Sequence, residues 1–228
     1  AQLGLVSEQL RPYLDTGLLT RHHAFFPGYE IGHGDREKRR RAMQVHLSAV
    51  DTIRNLGEPF ITVHIGLDVN DDIDFAAAVD NLARLVDYGR AKGVTVCLEN
   101  LRRGPASNPE LLLRWAEESG AMITFDIGHA VSSRRVVNGE ITTVEFLDSI
   151  SDRVVEAHVY EKETDRHYPP EDMSVLGPVI DRLLLTACTW WTIELDDCEE
   201  ALSTRRLLLD YLCTKPDMRY TEQERGTK

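Results

Sequence analysis

Five short apolar runs in this 228-residue chain each lead into a residue that can bind a metal ion. The runs are ITVHI, VTVCLEN, MITFDI, VVEAHVY and WWTIEL, and the residues are His64, Glu99, Asp126, His158 and Glu194. Successive residues of this set are 35, 27, 32 and 36 positions apart, about the length of one strand and its following helix. Because parallel strands end at the same edge of a sheet, this repeat predicts that the five side chains lie together.

The segments between the runs have the periodicity of amphipathic helices. Helical spacing of apolar residues is found in 35–55, 74–89, 108–119 and 198–212. Asn108 and Pro109, and likewise Asp196 and Asp197, stand where helix starts are expected. Strands that alternate with helices predict an α/β fold with a parallel sheet, and closure into a barrel gathers the ligands at one end. An open doubly wound sheet is the alternative, although no GxGxxG or P-loop follows any run.

The sequence does not account for all eight strands of a complete (β/α) barrel. A sixth run, from Leu18 to Phe25, ends near His23, and no strand-like run precedes it, so the first strand is expected to be missing. A further short strand is expected around His167 to Leu176. The length and the 42% hydrophobic content suit a single domain over 1–228, with a flexible tail from about 215 to 228.

Strand periodicity also predicts which side chains lie inside the barrel. If each ligand points inward, the residue two positions earlier does too, and the residues between them face the helices. The inward positions so predicted are Thr62, Cys97, Thr124, Glu156 and Thr192, whereas their neighbours are apolar. Glu156 is therefore expected one layer below His158, where a buried carboxylate requires hydrogen-bond partners.

Composition restricts the partners and the location of the protein. A formal net charge of -12 argues against a polyanionic partner, because nucleic-acid binders usually carry excess Lys and Arg. The chain has no run of about 18 apolar residues, and its first residues lack the order of a signal peptide. We therefore expect a cytoplasmic protein without a membrane partner.

The order of the potential ligands resembles the metal site of the xylose isomerase-like TIM-barrel superfamily. That superfamily includes sugar and sugar-phosphate isomerases and epimerases, and also apurinic-site endonucleases of the endonuclease IV type. The resemblance runs from His23 to Glu194 and implies a TIM-type barrel that binds one to three divalent ions, either zinc, manganese or cobalt. The metal-binding residues that it implies are His23, His64, Glu99, Asp126, His129, His158, Asp165, His167 and Glu194.

The resemblance to the isomerases and epimerases implies a single ion and a small substrate. Glu99, Asp126, His158 and Glu194 would bind the ion through mixed nitrogen and oxygen ligation. In such relatives the metal ion grips neighbouring oxygens of the sugar while a carboxylate moves a proton. Glu99 and Glu194 would then form the acid/base pair in addition to binding the metal.

Two alternatives remain at the level of the sequence. A zinc-dependent phosphodiesterase of the endonuclease IV type would use all nine positions, and only this alternative requires a nucleic-acid partner. Against it, FDIGHA lacks the threonine and cysteine usual in that family, and DRHYPPED lacks its glycine-rich continuation. The second alternative is a catalytically inactive metal-binding barrel, which an incomplete barrel wall would favour.

Arginines near the predicted ligands favour a phosphorylated sugar. Arg102 and Arg103 follow Glu99, and Arg166 lies between Asp165 and His167, in segments expected at the mouth of the barrel. Guanidinium groups can bind phosphate through two parallel hydrogen bonds. We therefore expect Arg102, Arg103 and Arg166 to bind the phosphate group of the substrate.

Overall fold

The computed structural model describes residue 12 and residues 15–67 and 72–215 of the chain. Its main sheet contains six parallel strands in the order β1-β2-β3-β4-β5-β8, curled into a half-barrel. The strands are β1 (His22–His23), β2 (Phe60–Val63), β3 (Thr95–Glu99), β4 (Met122–Asp126), β5 (Val154–Val159) and β8 (Trp190–Ile193). The predicted TIM-type barrel is confirmed, and within the described residues it lacks some strands of the complete form.

Helices connect the strands, and the four long ones begin within one residue of where the sequence predicted them. Their bounds are α1 Arg36–Ile53, α2 Phe75–Ala91, α3 Pro109–Ser119, α4 Ile127–Val131, α5 Arg134–Val137, α6 Thr143–Ile150, α7 Leu176–Leu183 and α8 Cys198–Cys213. Each long helix has a capping side chain that accepts hydrogen bonds from the first turn, namely Asp35, Asp74, Asn108 and Asp197. These caps satisfy backbone N–H groups that have no partner within a helix.

The alternation of side chains along the strands is confirmed. Ile61, Val63, Ile123 and Phe125 are buried in the core that the sheet forms with the helices. The inward-facing hydroxyl oxygens of Thr62 and Thr124 are 2.7 Å apart. Because successive residues point to opposite faces of a strand, this contact between β2 and β4 fixes the inward register of the ligands that follow.

The prediction of a barrel strand around His167 to Leu176 is wrong. Only His167–Tyr168 (β7) is extended there, and it pairs antiparallel with Lys162–Glu163 (β6) in a separate hairpin. The backbone N–H of Glu161 donates to the carbonyl of Tyr168, so this segment satisfies its hydrogen bonds locally and not in the main sheet. Strand β5 consequently pairs directly with β8.

Two other expectations concern the ends of the chain. Strand β1 is the first strand of the main sheet within the described residues, and most of the chain before it, where a missing first strand was expected, lies outside them. The flexible tail expected from about 215 to 228 lies, except for Lys215, outside the described residues. None of the helices in the described part of the chain is both long and apolar enough to cross a membrane.

His46 makes the stability of the fold sensitive to mild acid. It lies on the buried face of α1, where its Nδ1 is 2.9 Å from the carbonyl oxygen of Ala42. Burial lowers the pKa of His46 from 6.5 to about 4, so the folded protein contains the neutral ring whereas the unfolded chain binds a proton. The stabilisation is complete above the unfolded pKa of 6.5 and is lost as the pH falls towards 4.

We expect the free energy of unfolding to decrease with acid more steeply in the wild type than in His46→Gln. The difference in slope should approach about 1.4 kcal/mol per pH unit below pH 6 or so. Urea unfolding of both proteins between about pH 7.5 and pH 5 measures it. Equal slopes would show that the ring is accessible to protons in the folded state.

A candidate metal centre at the carboxyl ends of the strands

His158 lies at the centre of a group of carboxylates that four strands bring together. Its Nδ1 is 2.8 Å from Glu99 Oε1, 2.9 Å from Glu194 Oε2 and 3.7 Å from Asp126 Oδ2. Glu99 and Asp126 end β3 and β4, His158 is the last residue but one of β5, and Glu194 directly follows β8. The convergence predicted from the strand spacing is therefore found for all four residues, whose ligand atoms lie within 4.8 Å of one another.

Two further histidines complete one side of this group. Glu99 Oε2 is 2.6 Å from His64 Nε2 and 3.1 Å from His23 Nε2. The other nitrogen of His23 lies 3.2 Å from Glu194 Oε1, so this ring bridges the two glutamates. Glu99 is fully buried, whereas the side chains of His23 and Glu194 are 29% and 25% exposed. Solvent, and hence a substrate, can reach the centre from the side of His23 and Glu194.

Asp126 is held rigidly by hydrogen bonds to its backbone and side chain. Its Oδ1 accepts a hydrogen bond of 2.6 Å from the backbone N–H of His129 and so caps α4. The side chain of Asn100 binds the backbone N–H and the carbonyl of Asp126, both at 2.8 Å. Asn100 directly follows Glu99, so this pair of bonds joins the ends of β3 and β4. Together with the bond to Oδ1, these contacts leave Asp126 Oδ2 directed at the centre.

The charges of this group compensate one another. Burial opposes ionisation of Glu99, but His158, His23 and His64 hold its pKa well below the usual range. Burial likewise opposes protonation of His23, but Glu99 and Glu194 raise its pKa to about 9. The carboxylates therefore require positive charge nearby, and in the protein alone the histidines supply it.

Three buried atoms of this centre make no hydrogen bond, although two of them are only 2.8 Å apart, because their geometry is not that of a hydrogen bond. They are Glu99 Oε1, Asp126 Oδ2 and His158 Nδ1. Buried polar atoms nearly always have a partner, and here three of them, two oxygens and one nitrogen, face one another. A divalent cation bound by these atoms and Glu194 would satisfy all three, and a mixed nitrogen and oxygen set suits zinc, manganese or cobalt. The residues therefore fit a metal ion.

A second group of possible ligands lies beside the first. It consists of His129, Glu163 and His167, and His129 Nε2 is 3.1 Å from Glu163 Oε2. The Nδ1 atoms of both histidines lie 2.9 Å from backbone carbonyl oxygens, those of Asn100 and Glu194. A carbonyl can only accept, so each Nδ1 carries its proton. This arrangement leaves Nε2 of a neutral ring free to bind a cation.

Asp165 is the predicted ligand that the structure does not bring to either group. It is exposed, and its Oδ1 accepts hydrogen bonds from Thr164 Oγ1 and Tyr168 Oη. The turn of the β6–β7 hairpin directs it away, and Glu163, two residues earlier, takes the corresponding place. Sequence reasoning missed Glu163, because only the antiparallel pairing of the hairpin shows which acidic residue faces His129.

The three arginines expected to bind phosphate lie in different surroundings. Arg102 is 20% exposed, and its Nε is 3.1 Å from Glu163 Oε2. Arg103 is exposed on the same loop. Arg166 donates to both carboxylate oxygens of Glu200, at 2.6 and 2.9 Å. The paired N–H groups that would bind a phosphate are therefore already hydrogen-bonded. This contact does not support the expected role of Arg166, whereas Arg103 has the exposure that the role requires.

Tyr160, which sequence reasoning also missed, separates the two groups of ligands. Its ring is fully buried and stacks on His167 with the centroids 4.1 Å apart. The ring also packs so closely on Gly128 that a Cβ atom there would overlap it. Burial and the nearby charge of Asp126 raise the pKa of Tyr160, so the phenol keeps its proton.

Comparisons with known proteins agree with this architecture. The family model of the xylose isomerase-like TIM barrel matches residues 6–208. The chain belongs to the xylose isomerase-like TIM-barrel family. An uncharacterized protein of Methanocaldococcus jannaschii is 39% identical over 157 residues, which cover 68% of each chain.

Two solved structures illustrate how the family fold is shared. A D-tagatose 3-epimerase-like protein is 19% identical, with a TM-score of 0.73 over 93% of this chain and 82% of its own. The zinc-bound IOLI protein is 15% identical, with a TM-score of 0.71 over 93% of this chain and 83% of its own. At this level of identity the likeness concerns the xylose isomerase-like fold alone.

We expect Gly128→Ala to destabilise the protein by about 1–3 kcal/mol, because the new methyl group would overlap the Tyr160 ring. In a helix without this contact the same change is favourable. Urea unfolding should show that the cost disappears in a Tyr160→Ala background, where the ring is absent. A cost that persists in the double variant would locate the strain elsewhere.

Proposed function

We propose that this chain is a divalent-metal-dependent isomerase or epimerase of a sugar or sugar phosphate. The observation that carries the proposal is the approach of Glu99 and Glu194 to the same nitrogen of His158, at 2.8 and 2.9 Å. Both carboxylates thus border one small volume, together with the uncompensated Oδ2 of Asp126. A carboxylate beside a positive centre can remove a proton next to a carbonyl group and have the resulting charge stabilised.

The proposed ligands of the ion are Glu99, Asp126, His158 and Glu194. When bound, a divalent ion would hold neighbouring oxygens of the sugar and stabilise the negative charge that develops when a proton leaves the adjacent carbon. The D-tagatose 3-epimerase-like structure and the zinc-bound IOLI protein share the fold and support this assignment as analogies. Zinc, manganese and cobalt all suit the donor set.

The two glutamates would divide the proton transfer between them. His158 and His23 hold the pKa of both carboxylates below the usual range despite burial, so both are ionised at neutral pH and able to accept a proton. Glu194 is 25% exposed and lies on the open side of the centre, whereas Glu99 is at its base. We infer that Glu194 exchanges protons with the substrate carbon first and that Glu99 acts from the opposite side.

The charge at the mouth supports a phosphorylated substrate within this class. Arg103 is exposed beside Arg102, on the loop that follows Glu99. A guanidinium group at this position could bind the phosphate end of a sugar whose carbonyl end lies at Glu194. Arg102 is less available because it contacts Glu163 at 3.1 Å.

The second group of ligands favours the alternative of a zinc-dependent phosphodiesterase. His129, Glu163 and His167 could hold another ion, and clusters of two or more ions suit the hydrolysis of phosphodiesters. Glu163 is already paired with Arg102, however, which reduces its attraction for a cation. We therefore retain this activity as the second candidate.

Glu194→Gln should reduce proton exchange with the substrate by about 100-fold or more, because the amide cannot accept the proton. The assay is deuterium incorporation from D2O into a panel of ketoses and ketose phosphates, with added Mn²⁺ and NMR detection. Glu199→Gln is the matched control, because Glu199 is an exposed residue of α8 that contacts none of the ligands. Undiminished exchange in Glu194→Gln would remove this residue from the mechanism.

We expect one tightly bound divalent ion per chain. Elemental analysis after loading with zinc and desalting should show that Asp126→Asn loses the ion and that Glu163→Gln retains it. Two or more ions, with one lost in Glu163→Gln, would favour the phosphodiesterase, as would cleavage of abasic duplex DNA by the loaded protein. A chain that binds no divalent ion would contradict both activities.

A further inference from the structure

A charged pair lies in the interior of the half-barrel, one layer below the metal centre. Arg21 Nη1 is 3.5 Å from Glu156 Oε2 and donates to the carbonyl oxygen of Val155 at 3.0 Å. The side chains of Arg21 and Glu156 are only 9% and 5% exposed. Arg21 precedes β1 and Glu156 belongs to β5, so the pair spans the interior of the sheet.

Arg21 is fixed by contacts on several sides. Its guanidinium group lies over the ring of Phe60, 3.8 Å from the centroid, and over the ring of Trp190, at 4.6 Å. Its Nε donates to Glu58 Oε2 at 3.0 Å. Two aromatic rings and two acidic partners leave the group little freedom, and a guanidinium group is always charged, so Arg21 is a fixed positive charge beside Glu156.

The other oxygen of Glu156 faces upward to the metal centre. Glu156 Oε1 accepts a hydrogen bond from Thr192 Oγ1 at 3.4 Å and lies 3.7 Å from His158 Nε2. At 3.7 Å this is an electrostatic contact and not a hydrogen bond. Among the described residues it is the one carboxylate paired with Nε2, whereas the carboxylates of the centre surround Nδ1. The two nitrogens of His158 thus face two distinct environments.

The tautomer of His158 decides whether the ring can bind a metal ion at the centre. A neutral imidazole has one N–H and one lone pair, and the lone pair must be on Nδ1 if that atom is to bind the ion. The proton must then be on Nε2, where an acceptor is needed to stabilise it. Carboxylates that accept from the remote N–H of a metal-bound histidine orient the ring and strengthen its binding.

We propose that Glu156, held by Arg21, is a positioning residue that keeps the proton of His158 on Nε2 and directs Nδ1 to the metal. This inference rests on the proposed function, because it concerns the same centre. Stability alone is a weak reason for the pair, since a buried ion pair commonly contributes little compared with apolar residues of similar size. The other inward positions of this layer, such as Thr62, Cys97 and Thr124, are uncharged.

The test compares two partners of Arg21. Glu156→Gln replaces the carboxylate that faces His158, and Glu58→Gln replaces the one that contacts Arg21 without a contact to His158. Competition with a chromophoric chelator measures zinc affinity. We expect a loss of about 10–100-fold in Glu156→Gln and no loss in Glu58→Gln. Equal affinity of Glu156→Gln and wild type would overturn the inference while the proposed function stands, and no binding by the wild type would overturn both.

A second measurement determines the tautomer of His158 in the wild type itself. Nitrogen-15 NMR of the zinc-loaded wild type identifies the protonated nitrogen of each histidine, and His158→Gln assigns the signal. The inference requires the Nε2–H form of His158 with the metal on Nδ1. The opposite form, with the proton on Nδ1, would overturn it.

Discussion

The cost of burying negative charge governs the structure at the mouth of the half-barrel. Glu99 and Asp126 are fully buried, and Glu194 lies beside them. A carboxylate removed from water is strongly destabilised unless positive charge and hydrogen bonds compensate it. Histidines from β1, β2 and β5, or their close neighbours, provide this compensation, and a divalent cation would provide it more completely. The selection of residue types at the strand ends follows from this requirement.

The fold makes such a concentration of charge possible because its strands are parallel. Each strand ends at the same edge, so one inward-facing residue per strand reaches a common centre. The helices outside bury the apolar faces of the strands, and that core supplies the stability that the charged centre does not. In the described residues, hydrogen bonds do not join the two edges of the main sheet. The interior pair of Arg21 and Glu156 adds a contact between the segment before β1, at one edge, and β5, which lies next to the other edge.

Those parts of the centre that depend on regular periodicity could be predicted from the sequence. Glu99, Asp126 and His158 lie at or next to the ends of regular strands, so spacing and alternation sufficed to place them together. Glu163 and Asp165 lie in a hairpin, where pairing of the backbone decides which carboxylate faces inward, and the sequence pattern carries no sign of it. Asn100 was missed for another reason, because its two hydrogen bonds to the backbone of Asp126 appear only when β3 and β4 are adjacent.

The difference between ligands on regular strands and ligands in the β6–β7 hairpin also affects how strongly each group would bind a cation. The first group offers the carboxylates of Glu99, Asp126 and Glu194, borne on or directly after strands of the main sheet. The second offers Glu163 alone, from a two-residue strand, and Arg102 already neutralises it at 3.1 Å. A divalent ion therefore gains the attraction of three anions at a rigid site in one case and of one compensated anion in the other. This difference favours the first group as the site of the proposed ion, and a reaction at one ion would suit proton transfer on a sugar better than hydrolysis of a phosphodiester.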